Sequence, residues 1–166
     1  MATLIILRGN SGSGKSSVAK ALQRKIGSNT LLVSQDIVRR EMLLARDGKD
    51  NVALPLLITL LQYGKSHCDY VILEGILNAD WYKPLFEIAV KIFEKRIFAY
   101  YYDIPFEETL SRHGTKEKKL EFGEVELRRW WNEKDFIGII PEKILKQDVS
   151  LENAVNIVLK DILFQI

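Results

Sequence analysis

The chain has 166 residues, 47% apolar and 28% charged, which suits one domain around one core and excludes a chain disordered throughout. Its 24 lysines and arginines stand against 22 aspartates and glutamates, a formal net charge of +2, so bulk charge gives no support to a duplex nucleic-acid binder. One cysteine, Cys68, rules out an intramolecular disulfide, as a reducing compartment expects. No apolar run is long enough to span a bilayer, and Met1-Ala2-Thr3 leads into an apolar strand with no basic leader or cleavage site; the expectation is a cytoplasmic protein with no membrane partner.

Thr3–Arg8 is almost entirely apolar, the pattern of a strand buried on both faces. Lys15–Ile26 places Val18, Ala19, Leu22 and Ile26 on one helical face, with Gly27 as its stop. Thr30–Ser34 reads as a second strand, and Asp36 opens a helix to about Arg46. A polar turn over Asp47–Asn51 precedes a helix over Val52–Lys65, whose Pro55 must sit in the first turn. Asp69–Glu74 is a third strand, Asp80–Glu94 a helix, Arg96–Asp103 a fourth strand and Pro105–His113 a short helix. Gly123–Asp135 is predicted helical, Lys143–Gln147 as a fifth strand, and Ser150 caps a last helix to about Phe164. This alternation predicts parallel α/β layers in a single domain, residues 1–166.

The strongest chemical signal is Gly9-Asn10-Ser11-Gly12-Ser13-Gly14-Lys15-Ser16. It matches G-x-x-x-x-G-K-[ST] between a predicted strand and a predicted helix, the context the motif needs. Glycines let the backbone turn its N–H groups inward, and the helix N-terminus adds partial positive charge. Lys15 can reach the β- and γ-phosphates of ATP, Ser16 can ligate Mg²⁺, and Ser17 can add a hydroxyl at the α-phosphate.

Two carboxylates stand at neighbouring strand ends, where sites form in doubly wound sheets. Asp36 can take the proton of an incoming hydroxyl, and Arg39, three residues on, shares its helix face. Capping of the helix is the plainer role for Asp36. Glu74 can act on the metal side, orienting a Mg²⁺-bound water. The acceptor pocket is expected from the Asp36–Arg46 helix, the Val52–Lys65 helix and the segment after Glu74. Those stretches are mostly apolar, which suits a small or partly apolar acceptor.

Residues 112–135 are dense in both charges, with Gly114 and Gly123 placed as hinges of a lid. Arg112 and Arg128 are its candidates for contact with phosphate, while the lysines between them read as a solvated face. Of Trp130 and Trp131, about 100° apart on a helix, at most one can be fully buried. The exit of the fifth strand, Gln147–Ser150, is a candidate for adenine contacts.

Together the phosphate loop, Asp36-x-x-Arg39, the stretch from Tyr102-Asp103-Ile104-Pro105 to Arg112, and Arg128-Arg129 resemble the small P-loop kinases. That group includes polynucleotide 5′-hydroxyl kinases, zeta-toxin-type kinases, chloramphenicol phosphotransferase, and gluconate- and shikimate-kinase-like enzymes. The resemblance implies a three-layer P-loop NTPase fold: a parallel sheet of about five strands flanked by helices, with a small helical lid. It also implies Asp36 as base, Arg39 on the acceptor side, and Arg112 and Arg128 on the donor phosphates. Two departures narrow it. Glu74-Gly75-Ile76-Leu77 replaces the Asp-Gly-x-Pro-Arg step of nucleoside-monophosphate kinases, and no Asn-Lys-x-Asp sequence reads guanine. The expectation is transfer of the γ-phosphoryl group of Mg-ATP to a hydroxyl on a small-molecule or nucleotide-like acceptor. The alternatives are a non-catalytic ATP-sensing module and a kinase of polynucleotide 5′ ends, for which a net charge of +2 offers little groove.

Overall fold

The computed structural model describes residues 1–114 and 123–164. Five strands form one parallel sheet: β1 (Thr3–Gly9), β2 (Thr30–Ser34), β3 (Tyr70–Gly75), β4 (Ile97–Asp103) and β5 (Glu142–Lys146), in the order β2-β3-β1-β4-β5. Among the described residues six α-helices connect and cover them: α1 (Lys15–Ile26), α2 (Ala53–His67), α3 (Lys83–Phe93), α4 (Phe106–Gly114), α5 (Glu124–Arg129) and α6 (Leu151–Phe164). The expected α/β layers and all five strands are present.

β1 has a partner on each side, and all seven of its residues are buried. Its side chains alternate between two cores, as the period of two requires. Leu4 and Ile6 pack with Leu57, Leu61, Leu85 and Phe86 under α2 and α3. Ile5 and Leu7 pack with Val18, Leu22, Val155 and Val158 under α1 and α6. Each such side chain, removed from water, contributes about 1.5–3 kcal/mol, so the centre of the sheet is the rigid base for the loops at its carboxyl edge.

Register decides what those loops carry. Leu7 of β1 stands beside Glu74 of β3, and Glu74 stands beside Ser34 of β2. Because β3 lies between β1 and β2, Glu74 comes between the phosphate loop and the segment that begins at Gln35.

Two expected helices are shorter than the sequence suggests. The Asp36–Arg46 helix is a π-helix over Ile37–Met42. The Leu43 N–H reaches the Val38 carbonyl at 3.2 Å and the Ala45 N–H reaches that of Arg39 at 2.8 Å, widening the turn and folding the chain back. Leu44 has a φ of 49°, and Arg39 Nη1 donates to the Ala45 carbonyl at 3.1 Å, holding the reversal. Such π segments recur at functional sites. The Gly123–Asp135 helix ends at Arg129. Its continuation is prevented at Asn132, whose N–H goes to Asn10 Oδ1 at 2.8 Å and whose carbonyl accepts Asn10 Nδ2 at 2.6 Å.

Arg8, in the last turn of an otherwise apolar strand, is fully buried. Nε and Nη2 donate to the Leu77 carbonyl, Nη2 also to Asp135 Oδ2, and Nη1 to the Asp135 carbonyl and Glu142 Oε1, all at 2.8–3.1 Å. Phe86 and Tyr101 flank the guanidinium, with ring centroids 5.4 and 5.7 Å away. Asp135 Oδ2 also accepts the Ala79 N–H at 2.9 Å. One arginine thus joins β1, the chain after β3 and the segment after α5. A buried guanidinium persists only with its donors met in this way.

Candidate active site

The phosphate loop is shaped by what surrounds it. Gly9 has a φ of 149°, and a Cβ there would lie 2.8 Å from that of Tyr102 on β4, so no larger residue fits. Gly14, at the N-cap of α1, is left-handed with a φ of 97°, a conformation that glycine adopts without steric cost. Ser13 N–H donates to the Asn10 carbonyl at 3.3 Å. Gly12 lies against the Thr109 carbonyl, on α4. Lys15 is 7% exposed, and its Nζ donates to the Asn10 carbonyl at 3.0 Å, holding the cation across the loop. Ser11 faces the neighbouring cleft, and Ser16 and Ser17 are exposed at the start of α1.

Ser16 Oγ donates to Glu74 Oε2 at 3.0 Å, and Ser34 Oγ donates to Glu74 Oε1. Since the Ser16 proton points at the carboxylate, its oxygen lone pairs remain for a cation. Among the described residues no cluster of three or more His, Cys, Asp or Glu side chains could hold a metal. One hydroxyl backed by one carboxylate, all hard oxygen, fits Mg²⁺, which keeps most of its water and takes substrate phosphates as ligands.

Arg112 reaches over the loop from α4. Nη1 donates to the Ser13 carbonyl and Nη2 to the Gln147 carbonyl, both at 2.9 Å, while Nε pairs with Glu108 at 2.9 Å. It therefore bridges the phosphate loop and the exit of β5. Arg128 is placed differently from the expectation. It pairs with Glu124 at 3.0 Å and lies 4.3 Å from the centroid of the Phe106 ring, on the outside of the α4–α5 packing. Its neighbour Arg129 lines the cleft instead. The lysine stretch of the expected lid, residues 115–122, lies outside the described residues.

That cleft is a cavity of about 710 Å³ running from Ser11 of the phosphate loop across the π-helix. Asp36 and Arg39 both line it, joined by an ion pair of 3.2 Å. The expected apolar pocket is not what forms. Leu57 and Leu61 of α2 turn into the core, and the cleft is lined by Arg40, Arg46, Asp47, Asn78 and Asn132 as well, with Trp81 and Trp130. Neither Trp130 nor Trp131 is fully buried; Trp131 packs edge-on against Phe106, with centroids 5.2 Å apart.

The sequence assigned no site role to Arg46, Asp47 or Trp81, and Arg129 entered only beside Arg128 in the family resemblance. Asp47-Gly48 read as a turn. Asp47 is held by the Tyr82 hydroxyl at 2.7 Å and by Gln35 Nε2 at 2.9 Å. Burial first, and then Asp47 itself, push the Tyr82 pKa up, so the phenol remains a proton donor to that carboxylate. The chain reversal after Arg39 is thereby tied to α3.

A family model described as an AAA domain matches residues 4–132. No curated protein matches the sequence. Among solved structures the chain is similar to a gluconokinase from Sinorhizobium meliloti, with 16% identity, a TM-score of 0.67, and 98% of this chain and 97% of that one covered. It is similar to the APS kinase of Mycobacterium tuberculosis in complex with AMPPNP and APS, at 20% identity and a TM-score of 0.65 over 98% and 97% of the two chains. The shikimate kinase of Acinetobacter baumannii in complex with shikimate gives 17% and 0.63 over 99% and 95%. With the family model covering most of its length, and a five-stranded parallel sheet laid out as in these kinases, the chain belongs to the AAA domain family and has the fold of the small P-loop kinases.

Proposed function

We propose that the protein is a phosphotransferase that moves the γ-phosphoryl group of ATP to a hydroxyl of a small-molecule acceptor held in the arginine-lined cleft. One observation carries this reading: Ser11 of the phosphate loop and the carboxylate of Asp36 line the same cavity. A donor cradle and a proton acceptor that share one space are what direct transfer requires.

In this reading the loop N–H groups and Lys15 hold the phosphates, and Asn10 keeps the ammonium in position. Ser16 and Glu74 would hold Mg²⁺, which when bound neutralises charge on the donor phosphates. Asp36 accepts the proton of the acceptor hydroxyl as its oxygen bonds to the γ-phosphorus, and the bond from that phosphorus to the β–γ bridging oxygen breaks, releasing ADP. Arg39 orients Asp36 through their ion pair. Arg112 steadies the loop and faces the nucleotide side near Gln147. Arg129, which lines the cleft where Arg128 does not, faces the acceptor side. Dependence on ATP suits the cytoplasm, and Cys68 is a free thiol.

Transfer of label from [γ-³²P]ATP to a panel of nucleosides, sugars, antibiotics and oligonucleotide 5′ ends tests the reading. A labelled acceptor, lost in Asp36→Asn while ATP still binds, is the expected result. ATP binding with no transfer to any acceptor would favour a nucleotide-sensing module instead.

A further inference from the structure

We infer that the acceptor carries a phosphate group of its own and is a nucleoside monophosphate with a free ribose hydroxyl. The inference rests on the kinase reading and goes beyond it in naming the acceptor's chemistry. The phosphate is the handle, and the hydroxyl is the atom that reacts.

Charge is the first ground. Arg39, Arg40, Arg46 and Arg129 line the cleft against Asp36 and Asp47. The chain has 24 lysines and arginines and 22 aspartates and glutamates; removing those four arginines and two aspartates leaves twenty of each. The charged side chains that line this one cavity thus carry a formal +2, equal to the net charge of the whole chain. Both aspartates are already engaged, Asp36 by Arg39 and Asp47 by Tyr82 and Gln35. Arg46 and Arg129 are exposed to the cleft with no ion pair or hydrogen bond among the described residues. Arg39 keeps its Nε buried without an acceptor.

A neutral polyol would leave the charges of Arg46 and Arg129 facing one space without a counter-charge. A phosphate offers the planar, paired acceptors that a guanidinium fork matches. The donor triphosphate already has its own partners in the loop N–H groups and Lys15. Arg39 and Arg46 belong to the same short segment as Asp36, so their charge falls on the side of the incoming hydroxyl.

Shape is the second ground. Trp81 and Trp130 are among the lining residues, and a base can stack on an aromatic side chain whatever its sequence. A volume of about 710 Å³ is within the ordinary range for a small-molecule site.

The test uses the full chain with its donor site filled by a non-hydrolysable ATP analogue. Each of the four common ribonucleosides and its 3′-monophosphate, which keeps the 5′-hydroxyl, is titrated while tryptophan fluorescence is followed. The phosphorylated member of at least one pair is expected to bind about tenfold or more tightly than its nucleoside. Arg46→Ala and Arg129→Ala should each remove most of that preference and leave ATP-analogue affinity unchanged; because both side chains are exposed, the folded state should tolerate the changes. Equal binding within every pair, or a preference that survives both substitutions, overturns the inference. Tighter binding of a ten-nucleotide strand with a 5′-hydroxyl than of any mononucleotide overturns it in favour of a polynucleotide end. Phosphate preference without transfer of label would remove the kinase reading and keep this inference, whereas transfer to an uncharged polyol would do the reverse.

Discussion

The phosphate loop is made of eight consecutive residues between one strand and one helix, whereas the cleft beside it draws its lining from the 36–47 reversal, the chain after β3 and the segment from Arg129 to Asn132. The first is a local structure. Its shape follows from glycine conformations and a helix N-terminus, and one buried lysine closes it. The second exists only because long-range contacts hold three loops to one another: Asn10 to Asn132, Arg8 to Leu77 and Asp135, Tyr82 to Asp47. The local part has the chemistry that a fold family shares, and the assembled part has the room for a particular acceptor.

Substitutions should separate the two regions. The largest effect is expected from Asp36→Asn, which removes the proton acceptor: turnover should fall about 10²–10⁴-fold with ATP affinity unchanged by calorimetry. Lys15→Ala should lower turnover by about 10²–10³-fold, and unlike the first it should also weaken ATP binding. That contrast would break down if both variants lost ATP affinity equally. Arg8→Met attacks the assembled region from beneath. It strands Glu142, 2% exposed at the side chain, and frees the segment around Asp135, so denaturant melts should report a loss of about 3–5 kcal/mol. Glu74→Gln should raise the Mg²⁺ concentration needed for half-maximal activity by about 10–100-fold and spare acceptor affinity. Arg128→Ala should do least. Its ion pair is exposed, and a change within about 1 kcal/mol in stability, with normal acceptor KM, is expected; Arg129→Ala should instead raise that KM.

The same division decides what could be read from the sequence. Helix α1 runs over the residues its apolar spacing and Gly27 mark, and β1 is buried as a continuous apolar run should be. Both are set by near neighbours in the chain. The Asp36 helix failed as a reading because its propensity competes with the Arg39 guanidinium, which takes the Ala45 carbonyl and turns the chain back. Arg8 carried no signal beyond its place at the end of an apolar run, because its partners lie 69, 127 and 134 residues away. Arg128 and Arg129 are equivalent by spacing alone, and the Phe106 ring is what separates them. The apolar composition around the cleft misled in a similar way: the leucines of α2 are spent on the core, and the few polar side chains of these segments are the ones that face the cavity.

The central claim is that donor loop and Asp36 act on one acceptor across a shared cavity. Single-turnover transfer from [γ-³²P]ATP in the presence of the acceptor panel, run side by side on the unmodified chain and on Asp36→Asn, tests it most directly. The account predicts labelled acceptor from the unmodified chain and, in the variant, bound ATP whose label stays in place. Label moving to the acceptor at the same rate in both would contradict it.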